Sequence, residues 1–357
     1  MTIIGVDLHK RDFTVCYRRS EDDQVTRKFD NSADGMDAFL GTLSCVDRVA
    51  VEAVGISRRF VKAVGPRVRE IVSVDAARNN LVSQSIKKTD ANDAALLAYG
   101  LEKGILPLSR FRSEASQQLR SILAARDLLV MTRVRTMNLL NVVAARNGFN
   151  FPPSKVRHLN WRGLVDPEKL EFGDAAAWRA LNRHMETLRA DINELDKQAI
   201  AASELFEGNS ALSALPGFGP VTVATLLAYI DNIDDFPSAK SLVAYFGIAP
   251  RTRISAGEPI PNRKFGKFRA GAITRTGDSR ARSAIIMAVN RVFCQNESLR
   301  EFYERIKGRK GYRKARTAAA RKLLCLVYFM LKNRKSVQDF ASVNFSRPFE
   351  HQKCFLY

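Results

Sequence analysis

Cysteine is scarce in this sequence: five residues, at 16, 45, 294, 325 and 354, odd in number and without a CxxC pair. That spacing excludes a disulfide scaffold and argues against a zinc site; it fits reduced thiols in a cytoplasmic protein. Long hydrophobic runs are missing as well. The longest apolar stretches, such as "CLVYFML" at 325–331, are far below membrane-spanning length. The opening "MTIIGVDLHK" is apolar for too short a run to act as a signal peptide, and Asp7 interrupts it. Histidine is rare. His158, His184 and His351 are isolated, while His9 lies two residues from Asp7, within reach of whatever Asp7 holds; none of the four is assigned a role.

Acid is what the C-terminal third lacks. Residues 250–335 hold 23 Lys/Arg against 5 Asp/Glu, so nearly all of the net charge of +20 lies there, while the rest of the chain is close to balanced. An excess this concentrated marks a polyanion-binding surface, and nucleic acid is the expected partner. With 46% hydrophobic and 26% charged residues the chain reads as a folded, soluble protein, and 357 residues exceed one comfortable core. The organisation expected is 1–110 as an α/β catalytic domain and 111–207 as a helical, coiled-coil or linker region. Residues 208–335 follow as a mostly α-helical C-terminal domain, and 336–357 as a tail.

The N-terminal part alternates in strand fashion: "TIIGVDL" (2–8), "DFTVCYR" (12–18) and "VTRKF" (25–29). A helix at 33–43, a strand at 48–55, a helix near 57–65 and a strand at 70–74 follow. The order βββαβαβ, then helices, predicts a meander feeding a mixed sheet. From about 113, Leu119, Leu123, Arg126, Val130, Arg133, Met137, Leu140 and Ala144 keep a 4–3 spacing. Leu181, Met185, Leu188, Ile192, Leu195 and Ala199 resume it after a Pro-Pro linker at 147–163. Two such helices form an antiparallel hairpin, pair between chains as a coiled coil, or pack on their own domain. In "ALPGFGPVTVATLLAYI" (214–230), Gly217 and Gly219 bracket a tight turn before an apolar helix. This is the outline of a helix-hairpin-helix element, whose exposed N–H groups hold phosphate.

Asp90 and Asp93, in "IKKTDANDAALLAYG" (86–100), share one face at the start of a helix. Capping and solvation of a helix start is one reading of the pair. Asp7 and Glu52 supply another. Both sit among apolar β residues, where a lone carboxylate is costly. If strands one and four are neighbours and the 90–100 helix crosses their ends, four carboxylates converge. Such a group is relieved by a cation, and hard oxygen donors suit Mg²⁺ or Mn²⁺. Paired ions in such a site activate an attacking oxygen and steady a leaving oxygen on phosphate.

These residues, with "LPGFGPVTVATLLA", "YFGIAPRTRISAGE" (245–258) and "GAITRTGDSRARSAI" (271–285), resemble the DEDD transposases of the IS110 insertion-sequence family, relatives of the Piv DNA invertases. The resemblance covers nearly the whole chain. It implies a RuvC-like (RNase H-type) N-terminal domain whose metal-binding catalytic tetrad falls on Asp7, Glu52, Asp90 and Asp93. It also implies a nucleophilic serine, best matched by Ser255, with Ser279 and Ser283 as the other candidates. Arg251, Arg253, Arg263 and Lys264 are expected to hold the phosphodiester, Arg275, Arg280 and Arg282 to contact phosphate. Lys307, Arg309, Lys310, Arg313, Lys314 and Arg316 are expected to bind nucleic acid. The function implied is DNA cutting and rejoining through a serine–DNA intermediate. Its implied partners are donor and target DNA, a structured non-coding guide (bridge) RNA, and further copies of the chain in a dimer or tetramer with composite sites. Its expected place is the prokaryotic cytoplasm, at the nucleoid. Two other readings compete: a RuvC-like, structure-selective endonuclease that activates water, and a nucleic-acid-binding protein without catalysis.

Overall fold

The computed structural model describes residues 1–75, 79, 89–151, 159–250, 254–255, 258–259, 273–347 and 349. Its contacts divide the chain into two units, Met1–Phe111 and Arg112–Tyr357.

The first unit is built on a six-stranded mixed sheet. Its strands are β1 (Ile3–Leu8), β2 (Asp12–Arg18), β3 (Gln24–Asp30), β4 (Arg48–Glu52), β5 (Glu70–Val74) and β6 (Leu108–Ser109), in the order β3-β2-β1-β4-β5-β6. The meander β1-β2-β3 is antiparallel, and β4 and β5 add in parallel beside β1. The expected order βββαβαβ is therefore present; β6 is an antiparallel edge addition that two residues gave no pattern to reveal.

The two-residue period of the strands sorts the side chains. Ile4, Val6, Leu8, Phe13, Val15, Val49 and Val51 face one way. There they bury against Met36 and Phe39 of α1 (Ala33–Leu40) and Phe60 and Val64 of α2 (Ser57–Val64). Ile3, Cys16 and Ala50 face the other way, against Ala94, Leu97, Ala98 and Leu101 of α3 (Asp90–Lys103). Gly5 lies in the middle of that second face. A Cβ there would collide with the Ala94 carbonyl and sit 2.5 Å from the Ala98 nitrogen, so α3 rests backbone-to-backbone on β1.

In the second unit, α4 (Glu114–Arg146) and α5 (Phe172–Ser203) run antiparallel, as the pairs Arg126–Asp196 and Arg146–Asp174 require. Of the three arrangements the spacing allowed, the chain makes the hairpin. The seam residues of both helices are buried or half-buried, including Leu140, Ala144, Met185 and Leu188. By length and composition α4 is apolar enough to cross a bilayer, its apolar residues being divided between the seam and an exposed set outside it, Leu128, Met131, Val134, Leu139 and Val142.

The C-terminal core gathers around α7 (Pro220–Ile230), buried on every side from Val223 to Ile230. Short α6 (Asn209–Ser213) precedes it, and α8 (Ala239–Tyr245), α9 (Ser279–Val292), α10 (Glu297–Lys310) and α11 (Tyr312–Lys332) surround it. The turn between α6 and α7 places Gly217 at φ +87, where a Cβ would meet the α9 backbone at 2.9 Å. Leu119, Leu123 and Ala199 of the hairpin enter this same core, so the expected division near 207 runs through packed side chains. Within the segment expected as the tail, Phe340, Val343, Phe345 and Phe349 are buried in the same core, and Asn296 donates to the Phe340 and Val343 carbonyls.

Candidate metal and nucleic-acid sites

Asp7 and Glu52 reach the same place by register. Val6 pairs with Val51 across the parallel β1–β4 ladder, so the next residues, Asp7 and Glu52, stand side by side. Alternation turns both toward the face that α3 covers. Helix α3 begins there. Its N-cap is Thr89, whose hydroxyl accepts from the Asn92 N–H at 3.2 Å. The N-cap role thus falls to the threonine, and Asp90 and Asp93 occupy the first turn, in a position the helix dipole favours.

Burial pushes the Asp7 carboxyl above its ordinary range; the neighbouring charges of Asp90 and Asp93 push the same way, and His9 opposes them. Ligand atoms of Asp7, His9 and Asp90 all lie within 4.8 Å of one another. The Nε2 of His9 is 3.1 Å from Asp7 Oδ2 and 3.5 Å from Asp90 Oδ1. Asp93 Oδ1 is shielded from solvent. Acids held together this way, one of them protonated more readily than usual, fit a divalent cation.

Two residues of this site carry too little local signal for the sequence to assign them. His9 stands beside Asp7 in the chain, and as the i+2 neighbour it returns to the same face. Lys28 is reached by register: Asp7 pairs with Thr14, and Thr14 with Lys28, so the three lie in line across the sheet. Its Nζ is 3.0 Å from Asp12 Oδ2 and 3.9 Å from Asp90 Oδ2, and the hydrogen bond to Asp12 raises its pKa.

In the second unit, Arg251, Arg253, Arg263 and Lys264 lie outside the described residues. Ser255 belongs to β7 (Ile254–Ser255), which pairs antiparallel with β8 (Glu258–Pro259), Ser255 opposite Glu258. The ends of the stretch around them are tied together: Pro250 bridges Ile273, Thr274 N–H donates to the Ala249 carbonyl at 3.0 Å, and Arg275 N–H to that of Gly247 at 3.0 Å. The two motifs "YFGIAP" and "TRTGDS" thus meet in space.

The expected basic contacts divide into two groups. Arg280 is committed to Asp127 (3.2 Å), Asp278 and the Tyr229 hydroxyl. Arg282 donates to the Gly277 carbonyl, and Arg316 to the Tyr312 hydroxyl and the Ile286 carbonyl. Lys307 pairs with Glu304. Arg275, at φ +57, keeps its side chain exposed. Arg309, Lys310, Arg313 and Lys314 are exposed and take part in no ion pair among the described residues. Arg313 and Lys314 stand in the first turn of α11, which holds no acid. Cations at a helix start oppose the dipole, so the fold does not explain them; an anionic ligand would. Ser279 and Ser283 are exposed on α9 and line a groove of about 660 Å³ with Arg126, Arg280, Arg291 and the start of α7.

Two family models match the chain. A transposase model of the DEDD IS110 type covers residues 4–144, and the model of the IS116/IS110/IS902 transposase family covers residues 209–304. The sequence is 22% identical over 296 residues to a protein of Sinorhizobium fredii named as a transposase (y4pF/y4sB), covering 82% of this chain and 73% of the other. It is 24% identical over 309 residues to a protein of Pseudomonas aeruginosa named as a family 20 transposase, covering 83% and 86%. To the pilin gene-inverting protein of Moraxella bovis it is 27% identical over 256 residues, covering 70% and 67%.

Proposed function

This chain belongs to the IS110 family of transposases and is a DNA-processing enzyme, and from that premise we propose that it cuts and rejoins DNA through a serine–DNA intermediate with divalent-metal assistance. The observation that carries the metal half is the gathering of Asp7, Asp90 and His9 within 4.8 Å, with Glu52 beside Asp7 in the sheet. In this reading Asp7, Glu52, Asp90 and Asp93, on a RuvC-like sheet, hold Mg²⁺ or Mn²⁺. Such ions, when bound, lower the pKa of an attacking oxygen and offset charge on the phosphate.

The chain's own residues then have separate tasks. Asp7 and Glu52 are held rigid by β1 and β4, and Asp90 and Asp93 by the α3 start that Thr89 caps. The hydroxyl of Ser255 displaces a DNA oxygen from phosphorus; its proton passes to a base, the displaced oxygen takes up a proton, and a hydroxyl released from a different DNA end later attacks the serine-bound phosphorus, joining the exchanged strands and freeing the serine. Arg251, Arg253, Arg263 and Lys264 hold the phosphodiester, and Arg309, Lys310, Arg313 and Lys314 hold the backbone further along. The helix-turn-helix from α6 to α7 serves as a hairpin for phosphate, and the exposed apolar residues of α4 support pairing between chains, within an assembly of several copies. A non-coding guide RNA that selects donor and target DNA completes the reading, and inversion, as in the Moraxella relative, is an alternative outcome of the same chemistry.

The test is a covalent protein–DNA adduct that survives denaturation. It should form with Mg²⁺ or Mn²⁺ present, and vanish in Ser255→Ala and in Asp7→Ala. Cleavage that persists in Ser255→Ala without an adduct would instead mark a water-activating nuclease. If sites are shared between copies, mixing the two variants restores part of the adduct. RNA recovered with the protein from its host and sequenced tests the guide.

A further inference from the structure

We propose that His9 is itself a metal ligand, so that the site binds its cation through mixed nitrogen and oxygen donors rather than through carboxylates alone. The inference rests on the reading of Asp7 and Asp90 as ligands and adds to it a residue outside the four acids.

Three observations support it. Nε2 of His9 stands 3.1 Å from Asp7 Oδ2 and 3.5 Å from Asp90 Oδ1. Two donors at about 2.1 Å from one cation and at right angles are roughly 3 Å apart, so this spacing suits adjacent positions of one coordination shell. The residue is also fixed from behind. His9 N–H donates to the Asp12 carbonyl at 2.9 Å, and Asn31 Nδ2 donates to the His9 carbonyl at 3.0 Å, which anchors the turn leaving β1. Finally, Asp90 offers its two oxygens to different groups, Oδ1 toward His9 and Oδ2 toward Lys28 Nζ at 3.9 Å. A second partner on the far oxygen of a ligand is the usual way a coordinating carboxylate is oriented. With side chains half exposed, His9 and Asp90 leave the cation open to solvent and to an incoming phosphate.

A divalent cation bound between Nε2 and Asp7 Oδ2 would take the imidazole lone pair and a carboxylate oxygen as neighbouring donors. An imidazole in the shell raises affinity for Mn²⁺ more than for Mg²⁺, which prefers oxygen.

The experiment uses the full chain with Mn²⁺ alone, without DNA. Pulsed electron paramagnetic resonance of the bound Mn²⁺ should show the modulation of a directly coordinated ¹⁴N. His9→Ala and His9→Asn should both lose that modulation while still binding Mn²⁺, and both should remain folded at the temperature of the measurement. The preference for Mn²⁺ over Mg²⁺ should fall about tenfold in both. Bound Mn²⁺ without nitrogen coupling in the unmodified protein overturns the proposal, as does coupling that persists in His9→Ala. Asp7→Asn separates the two readings. Lost Mn²⁺ binding in Asp7→Asn, with no nitrogen coupling beforehand, leaves the carboxylate site standing without His9. Mn²⁺ binding that survives Asp7→Asn overturns both.

Discussion

In Met1–Phe111 a strand register and a single helix start bring Asp7, His9 and Asp90 within 4.8 Å of one another, with Glu52 beside Asp7 in the sheet and Asp93 in the same first helical turn; in Arg112–Tyr357 the basic residues are spread over helix ends, and four of the nine described ones singled out, Arg280, Arg282, Lys307 and Arg316, are already bound to their own protein. The difference shows what each kind of site asks of a fold. A cation needs donors within a few ångströms, so every acid there is positioned by the sheet or by α3, and each should be indispensable. A polyanion is long and screened by salt, so a loose field of cations suffices and each contributes a little.

The most severe way to break this contrast is to remove charge one residue at a time in each unit. Asp7→Asn, Glu52→Gln, Asp90→Asn and Asp93→Asn should each lower strand transfer by about a thousandfold or more, the scale of losing several kcal/mol of transition-state stabilisation. Arg309→Gln or Lys314→Gln alone should cost a few-fold at most. An Asp90 variant with near-normal turnover would return that residue to the role of a solvated helix start.

Gly5 tests how far the acid site depends on the fold itself. With a Cβ, this residue would run into the Ala94 carbonyl and the Ala98 nitrogen. Backbone cannot step aside as a flexible side chain does, so Gly5→Ala should destabilise the protein by about 1–3 kcal/mol. It should also weaken Mn²⁺ binding, because α3 carries Asp90. A lowered thermal midpoint with unchanged metal affinity would show that the helix start is positioned by something other than its rest on β1.

Why the acids are legible in the sequence and much else is not follows from the same physics. Asp7 and Glu52 stand out as charges inside short β runs, and a period of two fixes their face once the strands are neighbours. Asp90 and Asp93 stand out by their i, i+3 spacing, but that spacing does not assign the cap to Thr89. His9 is flagged by its i+2 spacing from Asp7 but that spacing assigns it no role, and Lys28 requires the register of three strands, which no local pattern carries. In the second unit, charge alone does not tell Arg316, which reaches the Tyr312 hydroxyl and Ile286 carbonyl, from Arg313 three residues earlier, which faces solvent. The hairpin of α4 and α5 is one of three readings of a 4–3 seam, and only the cross-pairs Arg126–Asp196 and Arg146–Asp174 select it.

That separation of the arginines sharpens the comparison within the basic face. Neutralising Arg309, Lys310, Arg313 and Lys314 together should weaken binding to all DNA and RNA sequences. It should also lower the slope of log affinity against log salt by about one unit for each phosphate left without its cation. Arg316→Gln should leave the slope nearly unchanged and lower the thermal midpoint instead, since it strips a hydroxyl and a carbonyl of their donor. The reverse pattern would make Arg316 the phosphate ligand and the outer four a solvated surface.

The smallest effect expected is on stability, and its sign is opposite to the effect on activity. Asp7 has a raised pKa in the folded chain, chiefly through burial and then through Asp90 and Asp93. A raised carboxyl pKa means that the folded state binds the proton more tightly than the unfolded state, so the ionised form destabilises the fold. That penalty is complete above the folded pKa and absent below the ordinary value of 3.8. Asp7→Asn should therefore raise the thermal midpoint of the metal-free protein at neutral pH. The gain should shrink as pH falls through the folded pKa and vanish near the ordinary one. Adding Mg²⁺ or Mn²⁺ should reverse the order, because the cation stabilises only the chain that binds it. Thermal scans of both proteins across pH, with and without metal, measure all three trends. A variant less stable than the unmodified protein at neutral pH without metal would mean that His9 holds the Asp7 carboxylate more strongly than burial opposes it.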